Sequence, residues 1–185
     1  MHIIKPALAL FLTSVVVIAA LTLVYSITEE PIRQNQLRRQ ETAMAEVLPQ
    51  AELFAVMNGQ ATDGILAIHV GLTQDDVLVG YVFTLSPEGY SGNIDMMVGI
   101  SVTDKVISGV RIMRHTETPG LGALAARADF YTKFDNLPLQ PLSVVKHGAK
   151  TETEIDAITS STITTKAIVD AVNEAIAWVT AYELH

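Results

Sequence analysis

Two short segments concentrate the residues whose types and spacing can do chemistry. Asp156-Ala157-Ile158-Thr159-Ser160-Ser161-Thr162-Ile163-Thr164-Thr165 is a hydroxyl-rich stretch that runs into a helical pattern. A helix N-terminus offers unpaired N–H groups and the positive end of the dipole, so a phosphate is stabilised there. Small side chains let the backbone approach it. The same residues also make an ordinary Ser/Thr N-cap, and composition alone favours that plainer reading. The second segment is His115-Thr116-Glu117-Thr118-Pro119-Gly120-Leu121-Gly122. Pro-Gly and Gly-x-Gly impose a sharp backbone path on which a ligand can lie close to the main chain. A strand-to-helix connector has the same composition.

Other chemistries are excluded or unsupported. The chain has no cysteine, which removes disulfides, thiolate metal sites, Cys-ligated iron–sulfur clusters and Cys nucleophiles. The five histidines do not suggest a metal site: His2 and His185 are terminal, His69 falls in a strand-like run, His147 precedes a glycine, and His115 borders the second segment. No catalytic triad is visible. The net charge is −8, and Lys5 is the only charged side chain before residue 28, so the remainder carries −9. Such a domain does not track a phosphate backbone, which argues against nucleic acid as a partner.

The elements that must position these segments read as follows. Pro6 to Ile27 is an uncharged run of 22 residues. At about 1.5 Å per residue it crosses a hydrocarbon core of about 30 Å. A cleaved signal peptide is the competing reading, but its apolar region is usually about 7–15 residues. We read residues 1–28 as a retained transmembrane anchor that Glu29-Glu30-Pro31 ends sharply. Arg33, Arg38 and Arg39 follow the span, and a simple positive-inside count slightly favours a cytoplasmic domain. That rule weakens when a long domain follows. Residues 29–50 read as a helical stalk beginning near Pro31 and stopped by Pro49, and residues 51–185 as the functional domain.

Within that domain Ile65–Val70, Val77–Leu85, Asp95–Thr103 and Val106–Met113 are rich in β-branched residues and predict strands, with Asp104-Lys105 as a tight hairpin turn. Leu142–Val145 predicts a short strand, Ala123–Phe134 a helix, and Thr164–Tyr182 the last helix, with Ile168, Val172, Ile176 and Val179 on one face. The order predicts an α+β fold: a largely antiparallel sheet with flanking helices, preceded by one N-terminal transmembrane helix and its stalk.

The chain resembles the FMN-binding subunits of ion-translocating respiratory complexes, namely the G subunit of the Rnf complex and the C subunit of the sodium-pumping NADH:quinone oxidoreductase. The resemblance covers essentially the whole chain. Asp156 to Thr162 resembles that family's flavinylation motif, in which Asp, a Ser/Thr and two small residues precede an acceptor Thr. The usual form has Gly then Ala before the acceptor, where this chain has Ser160 and Ser161. Glu117-Thr118-Pro119-Gly120-Leu121-Gly122 is similar to the family's flavin-contacting loop. Gly89-Tyr90-Ser91-Gly92 and Val145-Lys146 are less specific landmarks.

The resemblance implies FMN joined to the Thr162 hydroxyl by a phosphoester. A flavin transferase would make it from FAD with release of AMP. Because a Thr hydroxyl is a poor nucleophile, the base and metal would belong to the transferase. The same resemblance assigns Asp156 to the sequence that enzyme reads. It places Glu117, Thr118, Leu121 and Gly122 against the flavin ring and Thr159, Ser161 and Thr165 near the phosphate. Lys146 would offset flavin or phosphate charge, unless it is simply an exposed lysine. No independent catalysis is implied. The expected function is electron transfer in a membrane complex coupling ferredoxin:NAD oxidoreduction to ion movement, with the A, B, C, D and E subunits as partners. The flavin domain would lie on the periplasmic or equivalent extracytoplasmic side, against the charge count. The alternatives are the quinone-reducing relative, whose corresponding chain is longer, a self-contained flavin reductase, and a flavin-free module on a membrane stalk.

Overall fold

The computed structural model describes residues 4–57 and 64–183. His2, His185 and most of the Met57–Gly64 segment, whose composition reads as a turn-rich break, lie outside the described residues. The chain divides into two compact units, Met1–Glu41 and Thr42–His185.

The first unit belongs to helix α1, Ile4–Val47. Its apolar window has a mean hydropathy of 2.7 and none of it is buried within the protein, so it is long and apolar enough to cross a membrane. The hydroxyls of Thr13, Ser14, Thr22, Ser26 and Thr28 donate to carbonyls three or four residues back at 2.7–2.9 Å. Their polar groups are thereby satisfied within the helix, as hydrocarbon demands. The stalk helix expected to begin near Pro31 is not a separate element, because α1 continues through Pro31. Proline removes one N–H from the ladder, and the helix carries on past it. Beyond it, Arg33 donates to both oxygens of Glu30, and Gln34 adds a bond to the same carboxylate at 3.0 Å.

The second unit is built on a six-stranded antiparallel meander: β1 (Leu53–Val56), β2 (Ile65–Leu72), β3 (Leu78–Leu85), β4 (Ile94–Ser101), β5 (Val106–His115) and β6 (Leu137–Pro138), paired in that order. β7 (Ser143–Val145) and β8 (Glu154–Asp156) form a small parallel pair. Both faces of the main sheet are covered, which is why β3 and β4 are apolar at almost every position rather than alternating. One face packs against the last helix, α3 (Thr162–Glu183), through Ile168, Val172, Ala175, Ile176 and Val179. Tyr81 and Phe83 of β3 meet Trp178 of α3 edge-on, each at 5.4 Å between centroids. The other face takes the last turns of α1 and the following loop, where Ala43, Met44, Val47, Leu48 and Ala51 pack on Val79, Val82 and Met97. Gly99 and Gly109, register partners on β4 and β5, let the backbone at Val47 lie directly on the sheet. Arg111 of β5 reinforces this join: it donates to Glu46 at 2.9 Å and stacks over Tyr131.

The observed elements depart from expectation in places. β1, β6 and β8 are additional strands. The Ala123–Phe134 helix is instead three short pieces, a 3₁₀ turn at Gly122–Ala126, helix α2 at Ala128–Tyr131 and a second 3₁₀ turn at Thr132–Phe134. Arg127 is extended (φ −89°, ψ 149°) and separates the first two. Asp104-Lys105 does turn the β4–β5 hairpin. Lys105 takes the left-handed conformation (φ 56°), and the Ser101 hydroxyl accepts from the Asp104 amide at 3.1 Å.

Candidate flavin site

β8 delivers the chain into the hydroxyl-rich segment. The Asp156 carboxylate accepts from the Ala149 amide at 3.0 Å and so ties down the loop between β7 and β8. The chain then turns sharply at Ser160, which is left-handed (φ 61°), and α3 begins at Thr162. The Ser161 carbonyl accepts the first helical bond, from the Thr165 amide at 3.1 Å. Thr165 is fully buried. Its hydroxyl accepts from the Ile158 amide at 3.0 Å and donates to the Ser161 carbonyl at 3.1 Å. This residue closes the turn from beneath, and by doing so exposes Thr162 at the first position of the helix.

Facing this helix end is the segment that leaves β5. Glu117 is only 5% exposed. One carboxylate oxygen accepts from the Thr164 hydroxyl at 2.6 Å, and the other accepts from the Ser91 amide at 2.8 Å. The Tyr90 amide also binds this carboxylate. Burial pushes the acid upward, but these hydrogen bonds and the nearby His115 outweigh it and hold Glu117 below the usual glutamate range. The group is therefore ionised and can only accept. That fixes the hydroxyl chain. Thr164 spends its single proton on Glu117, so across the 3.1 Å between Ser161 and Thr164 the donor is Ser161. Two glycines make the arrangement possible. A Cβ at Gly122 would collide with the Glu117 carboxylate and stand 2.8 Å from the Thr164 hydroxyl, and one at Gly89 would stand 2.5 Å from the other Glu117 oxygen.

Between these elements lies a cleft of about 460 Å³ lined by Tyr90, Glu117, Thr118, Leu121, Gly122, Ser160, Ser161, Thr162 and Ile163. Its size falls in the range of about 300–1,000 Å³ usual for small-ligand sites. Tyr90, Leu121 and Ile163 stand exposed around it, with Tyr90 72% exposed. An apolar, partly aromatic wall beside a hydroxyl and a helix N-terminus fits a planar ring that carries a phosphate.

Glu117, Thr118, Leu121, Gly122, Ser161 and Thr162 are thus brought together from the two segments that the sequence singles out. Thr159 is exposed and outside the cleft, Thr165 is buried beneath it, and Lys146 is exposed just after β7, also outside. Tyr90, Ser160 and Ile163 are lining residues that sequence reasoning did not assign. Tyr90 had a signal in the Gly89–Gly92 loop; Ile163 and Ser160 had only their neighbours. Among the described residues no cluster of His, Asp and Glu could hold a metal ion.

Comparison with known proteins identifies the family. The family described as FMN-binding domain matches residues 89–177, and that described as RnfG N-terminal region matches residues 1–47. The G subunit of the ion-translocating oxidoreductase complex of Methanosarcina acetivorans is 35% identical, covering 97% of this chain and 95% of its own. The G subunit of the Na(+)-translocating ferredoxin:NAD(+) oxidoreductase complex of Acetobacterium woodii is 34% identical, over 93% of this chain and 89% of its own. Among solved structures, the C subunit of the Na(+)-translocating NADH-quinone reductase from Parabacteroides distasonis shares the fold, with a TM-score of 0.58 at 17% identity over 76% of this chain and 90% of that one. The chain belongs to the family of G subunits of ion-translocating oxidoreductase complexes, with an FMN-binding domain behind an N-terminal helix long and apolar enough to cross a membrane.

Proposed function

We propose that this protein is the electron-transfer component of an Rnf-type complex and carries FMN covalently on Thr162. The observation that carries the covalent reading is the exposed Thr162 hydroxyl at the first position of α3, opening into a cleft walled by Tyr90, Leu121 and Ile163. Thr164 and Thr165, its neighbours in the same helical turn, are both fully buried with their hydroxyls already bonded. In the attachment step the Thr162 oxygen forms a bond to the FMN phosphorus of FAD, the phosphoanhydride bond breaks, AMP leaves, and the hydroxyl proton passes to a base of the flavin transferase. The amides of the first turn of α3 favour the phosphate so placed. Tyr90, Leu121 and Ile163 give the ring an apolar bed, and Thr118 and Gly122 bring main chain close to it.

When bound, FMN supplies the one- and two-electron chemistry. The protein supplies attachment and position. Glu117 is held ionised with both oxygens engaged, so it is not poised to exchange protons near neutral pH. This suits an electron carrier better than a self-contained reductase. The relatives' names place them in ferredoxin:NAD(+) oxidoreductase complexes, and the remaining subunits of such a complex are this protein's partners. The quinone-reducing alternative is less well supported, because residues 1–47 match the RnfG N-terminal region. We place the flavin domain on the extracytoplasmic side, following the family resemblance over the weak charge count.

The test is denaturing electrophoresis of the full chain co-expressed with a flavin transferase. A fluorescent flavin band that survives denaturation, and vanishes in Thr162→Ala, is expected. A dark wild-type band, or a bright Thr162→Ala band, overturns attachment at Thr162. Protease treatment of intact and lysed cells tests the side of the membrane, with cleavage of the domain in spheroplasts expected.

A further inference from the structure

The assignment of Thr162 leaves one buried charge without a role. Glu117 lines the cleft, yet both of its carboxylate oxygens are spent on the protein itself. One oxygen holds Thr164, two residues beyond the acceptor, at 2.6 Å. The other holds the amide of Ser91 at 2.8 Å, on a loop from a different part of the sheet, and the neighbouring Tyr90 amide also binds the carboxylate. The Gly122 and Gly89 positions are kept free of a Cβ where this carboxylate lies. A buried carboxylate is costly unless its oxygens are satisfied, and here the bonds that satisfy it join three separate segments.

We propose that Glu117 is a positioning residue for flavin attachment. Its carboxylate clamps the first turn of α3 to the Tyr90 loop, and so sets the direction of the Thr162 hydroxyl and the place of the Tyr90 wall together. The proposal rests on Thr162 as the acceptor. The clamp acts through Thr164 on the helix side: Thr164 and Ser161 both belong to the turn around Thr162, and the Ser161–Thr164–Glu117 hydroxyl chain runs in one direction toward the charge. On the loop side it acts through main-chain amides, so the identity of Tyr90 is free to serve the ligand. The ligand class the clamp shapes the cleft for is a phosphate-bearing planar ring, held by its phosphate end at α3 and by its ring between Tyr90 and Leu121.

Three variants of the full chain separate the two arms. Glu117→Ala removes both. Thr164→Val removes only the helix arm, with nearly the same shape. Glu117→Gln keeps both, because its amide oxygen still accepts from Ser91 and Tyr90 and its NH₂ still meets the Thr164 oxygen. Two measurements are made on each. The first is hydrogen exchange by mass spectrometry on the flavin-free protein, read at peptides covering residues 88–93 and 161–166. The second is the rate of flavin attachment by purified transferase at saturating FAD.

Glu117→Ala is expected to raise exchange at least tenfold in both peptides and to slow attachment at least tenfold. Thr164→Val is expected to raise exchange only in the 161–166 peptide and to slow attachment comparably. Glu117→Gln is expected to stay within about threefold of wild type in both readouts. The proposal is overturned if folded Thr164→Val attaches flavin at the wild-type rate, or if Glu117→Gln is as slow as Glu117→Ala. It is also overturned if Glu117→Ala leaves both peptides protected. Failure of the Thr162 reading looks different: wild type itself takes no flavin, or Thr162→Ala does. The exchange results on flavin-free protein then still decide whether the clamp exists.

Discussion

The carbonyl group of Val47 lies directly over the α-carbon of Gly99, with no room for a side chain between helix α1 and the sheet. Gly109, its partner across the β4–β5 ladder, faces the same stretch of backbone, and a Cβ there would stand 3.3 Å from the Val47 α-carbon. Since neither glycine has a left-handed φ, both are needed for close approach rather than for conformation. Gly99→Ala must push the helix off the sheet. Overpacking of this kind costs about 1–3 kcal/mol. The expected outcome is a lower thermal unfolding midpoint for Gly99→Ala and a smaller decrease for Gly109→Ala, where the clash is milder. Equal midpoints for wild type and Gly99→Ala would show that the helix end is free to shift.

The same packing relocates the start of the folded unit. Val47 and Leu48 are completely buried, and Ala43 and Met44 nearly so. A stalk that simply led to a domain beginning at residue 51 would leave these side chains exposed. A chain truncated to begin at Thr42 is therefore expected to fold cooperatively. One that begins at Ala51 loses a whole face of the core and is expected to be insoluble or partly unfolded. Leu48→Ala in the longer form should cost about 2–5 kcal/mol, the usual range for emptying a core site. Circular dichroism melting of the three proteins checks both statements.

Much of this architecture is legible in the sequence, and the illegible parts have common causes. β2 to β5 stand out because their β-branched runs are bounded by turn residues, and Asp104-Lys105 sits where a hairpin must turn. β8 offers only Ile155 as an apolar residue, so its pairing with β7 depends on neighbours rather than on its own pattern. The continuation of α1 through Pro31 is an outcome that local propensity argues against. At the site, the two motifs announce themselves, but the division of labour among the hydroxyls does not. Thr162, Thr164 and Thr165 are chemically alike. The left-handed turn at Ser160 sets which faces the cleft, which faces Glu117 and which lies underneath. Glu117 was expected against the flavin ring. It lines the cleft, but its charge is directed at Thr164 and the Ser91 amide.

Acid should reveal that charge. Glu117 titrates below the usual glutamate range in the folded protein: burial raises it, but the bonds from Thr164, Ser91 and Tyr90 and the nearby His115 outweigh that and lower it. A carboxylate with a depressed folded value adds stability that is complete above its unfolded value and lost as pH falls through the folded one. Asp135 and Glu174 have the opposite sign. Burial raises both, against the pull of Arg111 on the first and with the help of Asp170 on the second, so mild acidification favours the fold at these sites. Wild type is expected to be more stable than Glu117→Gln at neutral pH. The gap should close as pH falls below the ordinary glutamate range and through the depressed folded value, where the native side chain becomes neutral as well. Unfolding midpoints of the two proteins across the acid range measure this gap. Parallel profiles down to the most acid point would mean that Glu117 carries no stabilising charge.

Gly122 gives the most direct link between packing and attachment. A methyl group there would enter the space held by the Glu117 carboxylate and the Thr164 hydroxyl. Neither can retreat easily: Glu117 is fixed from the other side by Ser91, and Thr164 is fully buried in the first turn of α3. Gly122→Ala is therefore expected to part the loop from the helix, at a cost of about 1–3 kcal/mol from overpacking alone. The larger effect should be on the flavin. Once the Glu117–Thr164 bond is broken, the helix end that presents Thr162 loses its brace, so the covalent flavin band should weaken much more than the amount of folded protein does. Gly120→Ala is the control. Gly120 is left-handed (φ 78°) but has nothing near its Cβ position, so its substitution strains the loop without touching the carboxylate. It is expected to lower stability while leaving flavin per folded molecule largely intact. Equal losses of flavin per folded molecule in the two variants would assign the effect to loop strain and not to the Glu117–Thr164 bond.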